Sequence, residues 1–67
     1  MTWKIELTNG AVLFTDDCID LARLRSDRWL RVYALARAVS GNLLRDRPGR
    51  VTYVNTRRIL IITEVDP

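Results

Sequence analysis

The pattern of apolar and polar residues predicts a β-hairpin at the start of the chain. Residues 3–8 alternate strictly between apolar and polar side chains, which is the period of a strand with one buried face. Asn9-Gly10 follows, a dipeptide that tolerates the positive φ angles of a tight turn, and residues 11–14 form an apolar run that returns from it. Three side chains of the first strand are predicted to face the core: Trp3, Ile5 and Leu7.

The end of the chain predicts two more strands. Pro48-Gly49 indicates a turn, after which residues 50–54 and 59–65 are rich in β-branched side chains. The polar break between them, Asn55-Thr56-Arg57-Arg58, has the length of a single helical turn and carries two adjacent arginines. Strict alternation would place Ile59, Ile61 and Thr63 on one face of the last strand and Leu60, Ile62 and Glu64 on the other. Both faces are apolar where this strand begins, which predicts a strand covered on both sides or one that buries a face in a partner, and the candidate interface residues are Ile59, Leu60, Ile61 and Ile62.

The centre of the chain is compatible with a helix and with a strand. Residues 27–40 contain three alanines, Ser26 or Asp27 is a suitable N-cap, and Gly41 suits the position after a helix end. The same residues also place alternating side chains on two faces of an extended strand. Residues 16–25 carry the same ambiguity, so local sequence leaves both segments open.

A fold-level resemblance favours strands in the centre. Leu7-Thr8-Asn9-Gly10 resembles the L-x-N/D-G of the first turn in Sm-like and Src-homology-type barrels, and residues 51–55 followed by Ile59 resemble their closing strands. The resemblance implies a mainly β fold, a small five-stranded SH3-like or Sm-like barrel whose fourth and fifth strands are joined by one helical turn. The chain has no N-terminal helix and no Sm-type RNA-binding signature, so no RNA-binding residue is carried over. The alternative is an α+β fold of the order ββαββ with a central helix at about 27–40.

Length and composition indicate one small domain, residues 1–67. A 67-residue chain is near the lower limit for folding without a metal or disulfide, so a homo-oligomer is expected. The chain has one cysteine and no histidine, so neither an internal disulfide nor a usual zinc site can be assembled, and no metal or cofactor is expected. No apolar run has the length of a signal sequence or membrane span, which predicts a cytoplasmic protein without a membrane partner.

The sequence offers little catalytic chemistry, and an enzyme is not expected. Without histidine the usual general base is missing, and Cys18 has no neighbouring base to activate it. The acidic group of Asp16, Asp17 and Asp20 could attract a divalent cation but lacks the ligand number and the glycine of a calcium loop. We expect these carboxylates to cap a helix or hold a bend.

Arginine is the remaining chemical signal. Residues 1–22 carry one lysine and four carboxylates, whereas residues 23–67 carry ten arginines and four carboxylates. Arginine favours planar, bidentate contacts with phosphate, although a GC-rich genome would give the same bias. The candidate ligand-binding residues lie in three loops, which would form one positive surface if they met at one end of the domain: Arg45, Arg47, Arg50, Arg57, Arg58, Arg28 and Arg31. Tyr53, Trp29 and Tyr33 are candidates for stacking on bases, with core packing the favoured role of Trp29 and Tyr53.

Two hypotheses of function follow from these features. The first is a non-catalytic module that binds nucleic acid, or another phosphate-bearing ligand, through its arginine loops. The second is a protein-interaction module or inhibitor that docks through the apolar start of the last strand, on a partner or on its own copy. Binding that weakens with salt would mark the first hypothesis, and an apolar interface would mark the second.

Overall fold

The fold is mainly β, as the sequence predicts. The computed structural model describes residues 1–65, of which 51% lie in strands, with no helix of seven or more residues. Two single turns of 3-10 helix occur, Arg23–Arg25 and Thr56–Arg58. None of the described helices is long and apolar enough to cross a membrane. The strands are β1 Thr2–Leu7, β2 Val12–Thr15, β3 Trp29–Ala34, β4 Ala36–Arg37, β5 Leu43–Leu44, β6 Arg50–Asn55 and β7 Ile59–Val65.

The strands form three antiparallel sheets. The first has the order β2-β1-β7, the second pairs β3 with β6, and the third pairs the short strands β4 and β5. Within residues 1–65 the three sheets do not join into one closed, hydrogen-bonded barrel. The mainly β class is confirmed by the 51% of residues 1–65 that lie in strands.

The N-terminal hairpin is present at the predicted turn. Gly10 has a φ of 88°, and the side-chain oxygen of Asn9 accepts a hydrogen bond of 2.9 Å from the backbone N–H of Ala11. Ala11 belongs to the turn, because its carbonyl accepts from the N–H of Leu7, and the returning strand therefore begins one residue later at Val12. Ile5 is fully buried, as the alternation of β1 predicts.

The alternative prediction of a central helix at about 27–40 is wrong. β3 pairs along six residues with β6, so the segment that could form a helix obtains its backbone hydrogen bonds from a neighbouring strand. Val32 of β3 is buried against Val54 of β6 in the core, whereas Trp29 projects into solvent. Gly41, with a φ of 94°, lies in the turn between β4 and β5. Residues 16–25 form neither an α-helix nor a strand and contain only the 3-10 turn.

The core lies between the first two sheets. Its buried apolar side chains are Ile5 of β1, Val32 of β3 and Val54 of β6, with half-buried apolar residues packed around them. In β7, Ile59 and Ile62 both pack against this core. The predicted alternation in β7 is wrong at this point, because the register shifts between Glu6 and Leu7 and leaves Leu60 without a partner in β1.

Candidate nucleic-acid interface

The turn between β6 and β7 is tied to the segment that enters β3. The side-chain oxygen of Asn55 accepts from the N–H of Arg57 at 3.0 Å, which starts the turn. Thr56 then donates its N–H to the carbonyl of Arg28 at 2.9 Å, and its hydroxyl donates to the carbonyl of Asp27 at 2.6 Å. These bonds hold Arg28 and Arg57 at the same end of the β3–β6 sheet.

A polar depression opens beside this tie. Its volume is about 200 Å³, and three of its lining residues are Arg25, Arg28 and Arg57, with Asp27 as its single carboxylate. The lining therefore carries a formal net charge of +2. Within residues 1–65 none of the three arginines forms an ion pair, so their guanidinium groups remain accessible to an external anion. We call this feature the arginine depression.

An apolar groove lies on the other side of the same turn. Its volume is about 510 Å³, and it runs between the β1–β2 hairpin and the β3–β6 sheet. Arg58 lines it at the turn, next in sequence to Arg57 of the arginine depression. The lining also includes Leu7, Leu13, Trp29, Tyr53 and Val54, and we call this feature the aromatic groove.

Trp29 and Tyr53 are solvent-exposed, so their favoured core role is wrong. Trp29 is 56% exposed and Tyr53 is 63% exposed. Tyr53 pairs with Arg31 across the two strands, and Trp29 precedes Arg31 by two residues, so all three side chains project from the same face. Two of the predicted stacking residues and one predicted ligand arginine thus share one surface.

Tyr33 lies on that face but has a structural contact. Its hydroxyl oxygen accepts a 2.7 Å hydrogen bond from the N–H of Gly49, which fixes the turn before β6. Gly49 packs so closely that a Cβ atom there would lie 2.5 Å from the Tyr33 ring and 2.1 Å from the carbonyl oxygen of Ala34. Tyr33 therefore anchors a turn, and the accessible stacking candidates are Trp29 and Tyr53.

Arg45 is held by other side chains of the chain. Its Nε lies 3.0 Å from Asp16 Oδ2, and its Nη2 donates to the Thr2 hydroxyl at 2.6 Å, while that hydroxyl donates to Asp16 Oδ1 at 2.5 Å. Hydrogen bonds from Arg45 and then Thr2 lower the pKa of Asp16. The same bond to Asp16 raises the pKa of Arg45. This triad joins the start of β1, the end of β2 and the loop after β5, so Arg45 is structural.

Only two of the three arginine loops meet at one end. In the register of β3 and β6, Arg50 pairs with Ala34 and Asn55 pairs with Trp29. Five residue steps separate these two pairs, a distance of about 17 Å along the strands. Arg47 and Arg50 therefore lie near the opposite end of the sheet from Arg28, Arg57 and Arg58.

The acidic residues that follow β2 bind donors of the chain itself. Asp17 accepts from the N–H of Tyr33 at 2.8 Å, and Asp20 accepts from the N–H of Ala22 at 3.0 Å. Cys18 between them is exposed. In the part of the chain that the structure describes, no group of three potential metal ligands is assembled. These carboxylates hold bends in the backbone, as their position in the sequence indicates.

Two features of the interface were not identified from the sequence. Thr56 was not singled out, although a polar residue after the Asn55 cap is placed to bond a neighbouring segment. Arg25 is not among the candidate ligand residues, because its position beside Arg57 depends on the hydrogen bonds between two distant segments. No local pattern marks that pairing.

No protein-family model matches the chain, and no curated protein or solved structure matches it significantly. The contacts and charges described above are therefore the basis for a functional proposal.

Proposed function

We propose that this chain is a small, cytoplasmic, non-catalytic module that binds nucleic acid at the end of the β3–β6 sheet marked by the Thr56–Arg58 turn. One observation carries the proposal: three arginines without an ion pair among residues 1–65 line a depression beside a groove with an exposed tryptophan and tyrosine. Guanidinium groups bind phosphates, and exposed aromatic rings stack on bases. A chain without histidine has no usual general base, which favours binding over catalysis.

We further propose that the two larger sheets are halves of an SH3-like or Sm-like barrel. The N–H of Leu35 donates to the carbonyl of Phe14 at 2.8 Å, and the Asp17 carboxylate accepts from Tyr33, so β2 and β3 are neighbours. The strand order would then be β7-β1-β2-β3-β6, a five-stranded meander with the β4–β5 hairpin inserted in the chain between β3 and β6. The Thr56–Arg58 turn has the place of the single helical turn in those barrels.

The charge distribution supports an electrostatic mode of binding. Residues 23–67 contain all ten arginines, and Arg23, Arg37 and Arg45 already contact groups of the same chain. The arginine depression and Arg58 provide four of the remaining guanidinium groups at one end of the sheet. Four phosphate contacts would lower affinity roughly 50- to 150-fold between 50 and 200 mM salt.

The test is fluorescence polarisation with a labelled oligonucleotide at those two salt concentrations. The double variant Arg57→Glu with Arg58→Glu is expected to bind at least tenfold more weakly at low salt, because two attractive contacts become repulsive. The matched control is Arg47→Glu with Arg50→Glu, which makes the same change in net charge at the far end of the sheet. Absence of binding at low salt, or equal losses in both double variants, would contradict the proposal.

A second candidate function is interaction through β7. Leu60 is 69% exposed and Ile61 is 48% exposed, although both are apolar. Among the described strands β7 pairs only with β1, so its other edge has backbone groups available for a further strand. A second copy of the chain could pair there and cover Leu60 and Ile61. Ile59 and Ile62 would not contribute to this interface, because their side chains already pack against the core.

Light scattering tests this second candidate. The expected result is a mass above the 7.8 kDa of the single chain, reduced to that value by Leu60→Lys, which places a charge on the exposed apolar surface. A wild-type mass of one chain at all concentrations would exclude self-association through β7.

A further inference from the structure

We infer that the aromatic groove seats an unpaired base of single-stranded nucleic acid between the rings of Trp29 and Tyr53, while the arginine depression holds an adjacent phosphate. The inference deepens the proposed function and rests on it, since it names the form of nucleic acid and the two sites that bind its base and its phosphate. It is argued from the exposure of the Trp29 and Tyr53 rings and from the position of these rings next to the arginines.

The spacing of the two aromatic residues suits a base. Trp29 pairs with Asn55 across the sheet, and Tyr53 precedes Asn55 by two residues, so Trp29 and Tyr53 are diagonal neighbours on one face. Diagonal neighbours in an antiparallel pair are about 7–8 Å apart, with their Cβ atoms somewhat closer. A base stacked between two rings needs about twice the 3.4 Å repeat of stacked bases, which agrees with this spacing.

The remaining lining of the groove is suited to a flat apolar group with a polar edge. Leu7 and Leu13 also line the groove, and its volume of about 510 Å³ is ample for a base. Asn55 and Arg58 add polar groups to the lining. The carbonyl oxygen of the Asn55 side chain is bonded to Arg57, so its amide nitrogen is the group left to meet a base edge.

The occupant is argued from the connection between the groove and the depression. Arg28 of the depression is bonded in sequence to Trp29 of the groove, and Arg57 of the depression is bonded to Arg58 of the groove. Each of the two chain segments thus crosses from the anion-binding side to the aromatic side in one residue, a Cα separation of about 3.8 Å. The ligand must present anionic and flat apolar groups in close succession. Phosphate and base do so in every nucleotide.

The ring spacing selects a single strand over a duplex. In a duplex both faces of each base are covered by neighbouring bases, so insertion between two rings requires unstacking. In a single strand the bases can be splayed out and stacked on aromatic side chains without loss of base pairs. The guanidinium groups bind either form, and the aromatic pair supplies the preference.

The experiment compares variants that keep or remove each ring. An eight-nucleotide oligothymidylate and a duplex of equal length are titrated with the wild type, Trp29→Phe, Trp29→Leu, Tyr53→Phe and Tyr53→Leu at 50 mM salt. The expected result is at least tenfold tighter binding of the single strand by the wild type. Each leucine variant should bind the single strand about tenfold more weakly, because base stacking on that ring is lost, while each phenylalanine variant stays within about threefold.

A fluorescence measurement isolates Trp29 from the only other tryptophan, Trp3. In the Trp3→Phe variant, addition of oligothymidylate should quench the remaining emission, because the base stacks on the indole ring. Circular dichroism and thermal unfolding of each variant show whether it retains the wild-type fold, which the exposed positions of Trp29 and Tyr53 are expected to permit.

The outcomes separate this inference from the proposed function. If salt-sensitive binding depends on Arg57 and Arg58 but leucine at Trp29 and Tyr53 leaves single-strand affinity unchanged, the base seat is wrong and the proposed function stands. Equal affinity for single strand and duplex in the wild type would also overturn the base seat. If neither oligonucleotide binds at 50 mM salt, the proposed function and this inference both fail.

Discussion

Asp16 connects the stability of the fold to pH at the scale of a single residue. Its carboxylate accepts hydrogen bonds from Arg45 and from the buried Thr2, so its pKa in the folded chain lies below the ordinary value of 3.8. The folded state therefore binds this proton less readily than the unfolded state. The resulting stability is fully present above about pH 4 and is lost as pH falls through the folded-state pKa.

We predict that Asp16→Asn flattens this part of the acid unfolding curve. The wild type should lose thermal stability faster than the variant as pH falls from 5 to 2, because only the wild type must protonate a carboxylate that is bonded to Arg45. Midpoints of thermal unfolding at several pH values measure the difference. The control is Asp46→Asn, which removes a carboxylate without an ion pair among the described residues. A pH dependence unchanged by Asp16→Asn would show that the triad does not form.

Gly49 is required by close packing. A methyl group at this position would meet the Ala34 carbonyl and the Tyr33 ring, and a backbone atom cannot move away as easily as a side-chain end. We predict that Gly49→Ala destabilises the fold by about 1–3 kcal/mol. Urea unfolding provides the measurement. Gly10→Ala is the comparison, because that site has open space and a positive φ, so its cost of about 1–2 kcal/mol comes from backbone strain alone. If both variants unfold like the wild type, the described turns are incorrect.

At the scale of elements, the predictable parts are those with strong local signals. The Asn9-Gly10 turn and the β-branched residues 59–65 determine their own structure, and both elements were predicted. The periodicity of residues 27–40 fits both a helix and a strand, and their local propensity favours a helix, so the local sequence does not predict the strand that forms. Pairing of β3 with β6 resolves it, and that pairing depends on residues about 20 positions away in sequence.

The orientation of β7 residues also lay beyond the sequence pattern. Simple alternation places Ile59 and Ile61 on one face, but the irregular register opposite Glu6 and Leu7 places Ile59 and Ile62 toward the core instead. One irregular pair changes the face of every later residue in a strand. Such an irregularity has no mark in the residues of β7 itself.

A pair of isoleucine substitutions tests this orientation. Ile62→Ala should cost about 2–3 kcal/mol of unfolding free energy, because its side chain packs against the core. Ile61→Ala should cost less, about 1 kcal/mol or below, because about half of its surface is already exposed to solvent. Chemical denaturation measures the unfolding free energy of both variants, which carry the same isoleucine-to-alanine change. The reverse order of costs would restore the simple alternation.

At the scale of the whole molecule, the position of the candidate site depends on topology. The sequence supplied Arg28, Arg57, Arg58 and the aromatic candidates, but it also grouped Arg45, Arg47 and Arg50 with them. Arg45 is bound to Asp16, and the β3–β6 register separates Arg50 from the Thr56–Arg58 turn by about 17 Å. Long-range contacts therefore decide which charges share a surface, and composition alone cannot.

The core of the molecule is small, and hydrogen bonds between segments help to hold the candidate site together. Only three apolar side chains are buried among residues 1–65, and hydrogen bonds such as those of Thr56 join segments that are far apart in sequence. The same bonds that support the fold bring the arginine depression and the aromatic groove together. Folding and the proposed binding site are thus linked through one turn.

The salt dependence of oligonucleotide binding tests the central claim most directly. The slope of log affinity against log salt concentration should be smaller by about 1.4 in Arg28→Glu with Arg57→Glu than in the wild type, because two phosphate contacts with a single strand are lost. Arg47→Glu with Arg50→Glu should leave the slope unchanged, although its net charge is the same. Equal slopes in the two double variants would contradict a localised site at the Thr56–Arg58 turn.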